Sequence, residues 1–328
     1  MKKKIVLAIA CLILIMLSGM LIRRHFHFYV KTPSWTIGLY QIDDSLRVSE
    51  YVSNPVLTAQ STEESNVYFV ADPFVTVKNG QYYMFYEKGV KSDITAGWQG
   101  VIGCAVSQNG VSWTDSGTVL EDKISVSFPI VFDYEEDTYM TISNDGSYEG
   151  YDNVRLFKAV NFPDNWVCVD TLLTGLWKDP SVYIAGTDFY IFTSTPSHDA
   201  HLFHSNSLRG PYTEHPASPI VRGNKTIGRN AGNVFTLGGG VAYRPVQDCS
   251  NVYGESVRLL RINYISPNEY IEEEVSILPF LSGTGDGWNS KRLHTMNLFR
   301  KLDGTYNFVT DGSTIMTYNR SIRIRKRK

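Results

Sequence analysis

The stretch YFVADPFVTVKNGQYYMFYE, residues 68–87, decides the fold. It places an acid beside a proline, Asp72-Pro73, and then alternates aromatic and apolar residues around a glycine-containing turn. Alternation of this kind on both sides of a turn predicts two antiparallel strands. The chain repeats the phrase as WKDPSVYIAGTDFYIFTS at residues 177–194, which raises the question of why a buried strand should begin with an acid.

The phrase occurs five times, each time as a strand, a Gly or Asp turn and a second strand. Its head positions lie about 50 to 60 residues apart, at Asp72, Phe128, Asp179, Ala231 and His294. Repeats of this period, with short outer strands between them, are typical of a β-propeller. The sequence therefore predicts an all-β, five-bladed propeller over residues 35–319. Its early segment WTIGLYQI, residues 35–42, is expected to complete the last blade and close the ring.

The amino-acid composition agrees with this fold and argues against nucleic-acid binding. Aromatic residues make up 13% of the 328 residues, with 26 Gly and 13 Pro, a balance that suits short strands and tight turns. The formal net charge is −2 and no basic patch is interleaved with aromatic residues, so no nucleic acid is expected as a partner. Residues 320–328 form a basic tail, either solvated or resting on an anionic membrane surface.

An apolar run precedes the repeats. Residues 1–4 are a short basic N-terminus, residues 5–22 are uncharged and long enough to cross a bilayer as a transmembrane helix, and residues 23–34 form a juxtamembrane linker. A cleaved signal peptide would have a shorter apolar region and a small-residue cleavage site, so a single-pass signal-anchor is favoured. Basic residues on both sides nearly cancel in the positive-inside rule; the expected orientation places the propeller outside the cytoplasm or in a lumen.

The propeller fold explains the acids at the heads of the strands. The innermost strand of every blade begins near the central axis, so that equivalent head positions converge on one pocket. Asp72 and Asp179 would both face this pocket, and two carboxyl groups around one cavity are the minimum for glycoside hydrolysis. The alternative is that each Asp caps a turn by binding amides downstream. Recurrence at equivalent positions favours the pocket.

Further polar residues lie near the heads of the fourth and fifth repeats. Arg229 and His294 either hold the hydroxyl groups or an anionic group of a ligand, or neutralise the acids of a wet channel. Trp288 either stacks on a sugar face or packs its own loop. The predicted substrate-binding residues are Arg229, Asn230, Gln247, Trp288 and His294.

Other signals do not predict a metal or cofactor site. The segment HDAHLFH contains His198, His201 and His204 at a spacing found in metal sites, but residues three apart on a strand point to opposite faces. The glycine runs GTGDG and LGGGVA lack the strand–loop–helix context of a phosphate-binding loop. The four cysteines include no C-x-x-C pair, so that no zinc site is indicated and no cofactor is expected.

Several motifs together resemble one family. ADPF, KDPSVY, SLRGPYTEHPASPI, GRNAGNVF, QDCSNVYGESV and GDGWNSKRLH are similar to the N-terminal domain of glucosamine inositolphosphorylceramide transferase, a family with stand-alone bacterial-type members. The resemblance covers roughly residues 35–312, and a more distant one extends to the five-bladed propellers of arabinanases, β-xylosidases, levansucrases and invertases. It implies a glycan-handling propeller, which in the plant members is membrane-anchored and faces the Golgi lumen. Transferase activity is not carried over.

The resemblance also implies roles for individual acids. In the distant relatives an axial Asp and two further acids perform the chemistry, which implies catalytic roles here for Asp72, Asp179 and Asp248. Asp72 would be the base, and Asp179 would orient or tune the proton donor. Asp248 or Glu87 would be that donor.

The identity of the donor separates two functions. Where the family's second repeat is expected to end in Pro-Glu, this chain reads TISNDGSYEGYDN, so that the donor is either lost or moved to Asp145 or Glu149. The first function is a membrane-anchored, glycoside-hydrolase-like enzyme acting on a polysaccharide or glycoconjugate. The alternative is a non-catalytic sugar-binding module in polysaccharide or glycolipid assembly, with a glycosyltransferase as partner. Axial acids held by Arg229 or His294 would favour the alternative.

Overall fold

A computed structural model of the protein describes residues 26–29, 35–92, 97–144, 153–314 and 321–324. The predicted anchor at 5–22 and the alternative donors Asp145 and Glu149 lie outside these residues. No helix within the described ranges is long and apolar enough to cross a membrane. The chain forms two compact units, Ser34–Thr314 and a smaller unit that combines the two chain ends.

The larger unit is an all-β propeller of five sheets with four to six strands each. In the first three blades, four antiparallel strands follow one another outward from the axis. Blade 1 consists of Val67–Lys78, Gln81–Lys91, Trp98–Ser107 and Thr114–Leu120. Blade 2 consists of Val126–Tyr134, Asp137–Asn144, Asn153–Asn161 and Asn165–Thr174. Blade 3 consists of Lys178–Ala185, Asp188–Ser194, Ala200–Ser205 and Thr213–Glu214.

In blades 4 and 5 the innermost strand is interrupted, and its two pieces are the first two ranges given for each blade. The strands of blade 4 are Arg229–Asn230, Phe235–Leu237, Val241–Asp248, Ser256–Ile265, Tyr270–Glu274 and Leu281–Ser282. Those of blade 5 are Arg292–Leu293, Asn297–Arg300, Tyr306–Ser313, Trp35–Ile42 and Val48–Ser49. The N-terminal strand Trp35–Ile42 pairs with Tyr306–Ser313 and closes the ring, which confirms the predicted five-bladed fold and its closure. The helices in the described residues are the short 3-10 turns Ala59–Ser61 and Gly287–Asn289.

The heads of the first three blades are β-bulges. Asp72, Phe128 and Asp179 have φ angles of 49°, 54° and 51°, in the left-handed region that residues with a side chain rarely adopt. Each lies where the register of the innermost strand shifts against its partner, and each precedes a proline. A bulge interrupts the alternation of side chains and re-aims the residue at its centre. This is the local reason why two acids within buried strands face the axis.

The core lies between neighbouring blades and holds these bulges in place. Phe74 of blade 1 and Phe128 of blade 2 meet edge to face with ring centroids 4.9 Å apart. Farther out, Phe85 of blade 1 meets Trp166 of blade 2 at 5.6 Å. Buried aromatic rings of this kind each remove roughly 150–250 Å² from water, so that packing between blades can stabilise the strained heads.

The smaller unit contains one pair of described strands. Phe26–Tyr29 and Ser321–Ile324 are antiparallel, with Phe26 opposite Ile324 and Tyr29 opposite Ser321. The segments predicted as a linker and a basic tail therefore each contribute a short strand.

Candidate functional site

Asp72 lies at the centre of the axial site. Its amide donates to Oδ2 of Asp311 in blade 5 at 2.9 Å, and its own Oδ2 accepts from the amide of Phe128 in blade 2 at 3.2 Å. The other oxygen, Oδ1, is buried without a hydrogen-bond partner and lies 3.5 Å from Nε2 of His294. One residue thus joins three blades and keeps one oxygen without a hydrogen bond.

His294 is held in place by Asp311, which the sequence analysis missed. Oδ1 of Asp311 lies 2.6 Å from Nδ1 of His294 and also accepts from the amides of His294 and Thr295, both at 3.2 Å. Trp35 packs on the imidazole with ring centroids 4.3 Å apart. A signal for Asp311 exists in the sequence, because it is the one charged residue in the strand Tyr306–Ser313.

Burial and mutual charge shift the pKa values of these three groups in different directions. Burial raises the pKa of Asp72 well above its usual range, although the charge of His294 opposes this effect. Burial lowers the pKa of His294, but the carboxylates of Asp311 and Asp72 outweigh burial and leave that pKa raised. Burial raises the pKa of Asp311, but His294 and two backbone amides reverse the effect and leave that pKa lowered. The site therefore favours a charged pair of His294 and Asp311 beside a carboxyl that holds its proton tightly.

Asp179, the second axial acid, is ion-paired. Arg229 Nε donates to its Oδ2 at 2.5 Å, and Gln247 Nε2 donates to the same oxygen at 3.1 Å. Asn230 donates to the backbone carbonyl of Asp179 at 2.9 Å and so fixes the head of blade 3 against blade 4. The structure therefore brings three predicted binding residues to Asp179, where their hydrogen bonds are made within the protein.

Asp248 points away from the axis. Its Oδ2 accepts from Arg258 Nε at 2.9 Å and its Oδ1 accepts from the amide of Ser250 at 3.0 Å. Burial raises the pKa of Asp248, but Ser250 and Arg258 outweigh burial and leave it lowered. Because adjacent side chains of a strand face opposite ways, the direction of Gln247 towards Asp179 sends Asp248 to the other side. The structure does not bring Asp248 to the axial acids.

Glu87 is a further acid near Asp72. It lies on the second strand of blade 1 opposite Ala71 and is 8% exposed. Its negative charge adds to the burial effect that raises the pKa of Asp72. Gly100 leaves room for the carboxylate, since a Cβ there would be 2.8 Å from Oε1 of Glu87. Of the alternative donors within the described residues, Glu87 is the one that the fold places in the axial site.

Two aromatic residues near the site have different roles. Trp288 lies across blade 5, where a Cβ added at Gly38 or Gly312 would come within 2.3 or 2.5 Å of its indole. Trp288 therefore packs against the sheet. Tyr253, which the sequence analysis did not single out, is 43% exposed, with its ring 5.1 Å from that of His294 and 5.0 Å from the guanidinium of Arg229. An exposed aromatic ring thus stands beside the axial acids.

Two of the three histidines of HDAHLFH are paired with different acidic residues. His201 Nδ1 lies 2.7 Å from Glu214, and His204 Nε2 lies 2.7 Å from Asp188. His198 has a φ of 65° and a buried Nδ1 without a hydrogen-bond partner. Burial and nearby cations lower the pKa of His198.

One group of side chains in the described part of the chain has atoms close enough to hold a cation. The relevant atoms of Asp72, His294 and Asp311 lie within 4.8 Å of one another. The contact of 2.6 Å between His294 and Asp311 joins two of them directly, and the raised pKa of His294 favours a protonated ring. Protonation of His294 and binding of a cation by its ring exclude each other, because a protonated imidazole has no lone pair for a metal.

Comparison with known proteins places the chain in a family. The model of the family described as glucosamine inositolphosphorylceramide transferase 1, N-terminal, matches residues 32–313. Glucosamine inositolphosphorylceramide transferase 1 of Oryza sativa subsp. japonica is 31% identical over 308 residues, which cover 86% of this chain and 40% of the relative. The Arabidopsis thaliana protein of the same name is also 31% identical over 308 residues, with 86% and 39% covered. The chain thus spans about two fifths of the length of these relatives.

A solved structure supports the fold alone. An α-L-arabinofuranosidase of Podospora anserina is similar to this chain with a TM-score of 0.55 and 12% identity, over 76% of this chain and 92% of that chain. The family match confirms the resemblance that the sequence motifs indicated.

Proposed function

The chain belongs to the family of N-terminal domains of glucosamine inositolphosphorylceramide transferase 1, and we propose that its axial site binds a saccharide without cleaving it, in the assembly of a polysaccharide or glycolipid. One observation carries this proposal. Of the three acids with predicted catalytic roles, Asp179 is ion-paired with Arg229 and Asp248 is ion-paired with Arg258.

Glycoside hydrolysis requires two carboxyl groups that can act on the substrate, and these ion pairs engage two of the predicted acids. One carboxyl must donate a proton to the leaving oxygen while a second acts as base or nucleophile. Arg229 and Gln247 both occupy Oδ2 of Asp179, and Asp248 points away from the axis. Asp72 is the predicted acid that no arginine holds, and a single carboxyl suffices for recognition.

The same groups suit the recognition of a sugar. A carbohydrate presents hydroxyl groups along its ring edges and C–H groups on its faces, so its sites combine polar side chains with an aromatic surface. The raised pKa of Asp72 allows this carboxyl to donate a hydrogen bond as well as accept one. Tyr253 supplies the exposed ring beside it. Glu87 and the charged His294–Asp311 pair complete a polar surround.

The relatives suggest the setting in which such a site would work. Their name is that of a transferase, and this chain corresponds to about two fifths of their length. We propose that the propeller presents a glycan to a partner glycosyltransferase. It would be anchored through residues 5–22, with the propeller outside the cytoplasm or in a lumen.

Glycoside hydrolysis is the second candidate, and the pKa of Asp72 favours it. A carboxyl with a raised pKa can carry the proton that the leaving oxygen needs, so Asp72 would be the donor rather than the base. Glu87 would be the second carboxyl. The distance between the two carboxyl groups would then decide the stereochemistry at the anomeric carbon. A separation of about 5–5.5 Å predicts retention of configuration, and one of about 6.5–9.5 Å predicts inversion.

One experiment separates the two candidates. The full chain in detergent would be titrated calorimetrically with a panel of amino sugars, mannosides, arabinosides and inositol glycosides, and the same mixtures would be assayed for released sugar. The variants are Asp72→Asn, which keeps a hydrogen-bonding group of the same shape and tolerates the left-handed backbone, and Asp72→Ala, which removes the group. Asp303→Asn, in the turn at the end of blade 5 opposite the axial site, is the control.

The proposal predicts that wild type and Asp72→Asn bind the same saccharide, that Asp72→Ala binds it roughly tenfold more weakly, a loss of about 1.4 kcal/mol, and that nothing is released. Release of sugar by wild type but not by Asp72→Asn would establish hydrolysis instead. Absence of binding to every saccharide by a folded wild-type chain would refute the proposal.

A further inference from the structure

The loop between the strands Tyr270–Glu274 and Leu281–Ser282 of blade 4 exposes two large apolar side chains to water. Ile277 is 90% exposed and Leu278 is 69% exposed, and these are the highest values among the large hydrophobic residues that the structure describes. Removing such side chains from water is favourable. Adjacent exposed apolar residues of this kind mark a surface that is covered by something else.

This loop lies along the outer edge of blade 4, in the half of the blade that carries the axial site, because the amide of Val275 donates to Leu259 and that of Phe280 donates to Val257. Arg258 donates to the carbonyl of Ile277 at 3.0 Å and to Asp248 at 2.9 Å, and Asp248 follows the residue that holds Asp179. Tyr253, which borders the site, belongs to the neighbouring loop of the same blade. We call the end of the propeller that carries the axial site the axial face.

Both ends of the propeller chain also lie at the axial face. Trp35 is the first residue of the ring-closing strand, and its side chain packs on His294 with centroids 4.3 Å apart. Trp35 is paired with Ser313, close to the end of the larger unit at Thr314. Trp35 and Ser313 therefore both lie at the axial face.

From these observations we infer that the axial face is the surface of the propeller that meets a lipid bilayer, with Ile277 and Leu278 inserted into the interfacial region. The sequence before Trp35 contains the apolar run at 5–22, which is long enough to span a bilayer. Exposed Lys225 and Lys291 lie at the same end, since the carbonyl of Lys225 accepts from Cys249 and the amide of Lys291 donates to Ser313. Basic side chains beside an apolar tip suit an anionic membrane surface.

The size of the apolar tip favours a bilayer over a protein partner. A stable protein interface buries about 800 Å² on each side and has an apolar centre. Here the two apolar residues are close to the ion pair of the largely buried Arg258 and the exposed Glu274, 3.2 Å apart. A few apolar side chains flanked by charges can enter the headgroup region of a membrane, where the charges remain hydrated.

The test uses the full chain in vesicles of phosphatidylcholine and phosphatidylglycerol. The exposed Cys168 would be replaced by Ser, while the buried Cys104 and Cys249 remain. Cys11, within the apolar run at 5–22, would also be replaced by Ser. Leu278→Cys would carry an environment-sensitive nitrobenzoxadiazole label. The matched control is Leu302→Cys, which is 61% exposed in the wild type and lies in the turn before Tyr306–Ser313, at the opposite end of blade 5.

The inference predicts a blue-shifted emission at position 278 and quenching by brominated lipid that is several-fold stronger than at position 302. Equal quenching at both positions, or no association of the labelled chain with the vesicles, would overturn it. Shielding at 278 without quenching by brominated lipid would indicate a second copy or another protein on this surface, and would overturn it as well. The result does not depend on whether the axial site binds a saccharide.

Discussion

The propeller contains two buried clusters of charged side chains that solve the same problem in different ways. In blade 1, Lys88 is fully buried and donates to Glu64 at 2.7 Å and to Asp115 at 3.0 Å. Asp115 also accepts from the hydroxyl of Tyr86 and from the amide of Glu63. We call these residues the blade-1 ion cluster. Its cation and its acids have hydrogen-bond partners within the protein.

The axial site differs in its hydrogen bonding. It combines the acids Asp72, Glu87, Asp179 and Asp311 with the cations Arg229 and His294. One oxygen of Asp72 is buried without a hydrogen bond from the described residues, and the pKa of Asp72 is raised. A buried cluster that serves stability satisfies its polar atoms, since each unsatisfied one costs about 1–3 kcal/mol. The unsatisfied oxygen and the raised pKa are therefore the physical marks of a candidate ligand site.

The largest expected effect breaks the blade-1 ion cluster. Lys88→Met removes the cation and leaves Glu64 and Asp115 partly or fully buried without it, so we expect the free energy of unfolding to fall by about 3–5 kcal/mol. Chemical denaturation would measure the change. Lys301→Met, which removes the partner of the exposed Asp303, is the control and should cost about 1 kcal/mol or less. Equal losses in both variants would contradict the structural role of the cluster.

A smaller effect is expected from Arg229→Met in the axial site. The substitution leaves Asp179 with Gln247 as its remaining side-chain donor, which should cost roughly 1–3 kcal/mol of unfolding free energy. The loss should be smaller than for Lys88→Met because Arg229 is 21% exposed while Lys88 is fully buried. Arg229→Lys restores the charge but not the planar geometry, and should recover part of the loss. A fall in the free energy of unfolding larger than that of Lys88→Met would contradict the distinction between a stabilising blade-1 ion cluster and an axial site that serves a ligand.

The pH dependence of stability should reveal the axial histidine. The pKa of His294 is raised in the folded protein above its ordinary value of about 6.5. Its stabilising contribution is therefore fully present below that ordinary value and is lost as the pH rises through the folded-state pKa. The Tm of the wild type relative to His294→Asn should decline from mildly acidic to alkaline pH, as measured by calorimetry. A difference that grows with pH would contradict the direction of the shift.

The smallest expected effect on stability is that of Asp72→Asn. The variant replaces a carboxyl that is costly to ionise with a neutral group of the same shape, and Asn adopts the left-handed backbone readily. Its free energy of unfolding at neutral pH should be within about 1 kcal/mol of the wild type, or higher. Thermal denaturation would measure it. A loss as large as that of Lys88→Met would mean that Asp72 serves structure rather than a ligand.

The sequence predicted the elements whose signal is local and repeated. Each blade contains its own alternating strands and its own head, so the five recurring strand–turn–strand phrases predicted the propeller. The axial position predicted for Asp72 and Asp179 followed from their equivalent places in two of these phrases. The closing strand Trp35–Ile42 followed from the same count, because one blade lacked a strand. Because the pattern repeats along the chain, the blades and the closing strand can be predicted without knowledge of contacts between distant residues.

Interactions between blades could not be predicted in this way. The amide of Asp72 donates to Asp311 across 239 positions of the chain, and Arg229 reaches Asp179 across 50. Asp248 illustrates the limit: sequence marks an acid near the end of a strand, but the direction of Gln247 decides that the acid faces away from the axis. Tyr253 lies in a loop, where no strand alternation indicates the side to which its ring turns.

By itself, the sequence determined the number of blades, the strand that closes them and the two acids expected at the axis, because these follow from a repeated pattern. Only the tertiary structure decided which acids are ion-paired, which carboxyl has a raised pKa and which aromatic ring stands beside it. The physical reason is that charge, burial and hydrogen bonding at the axis are sums over all five blades, and no single repeat contains that sum.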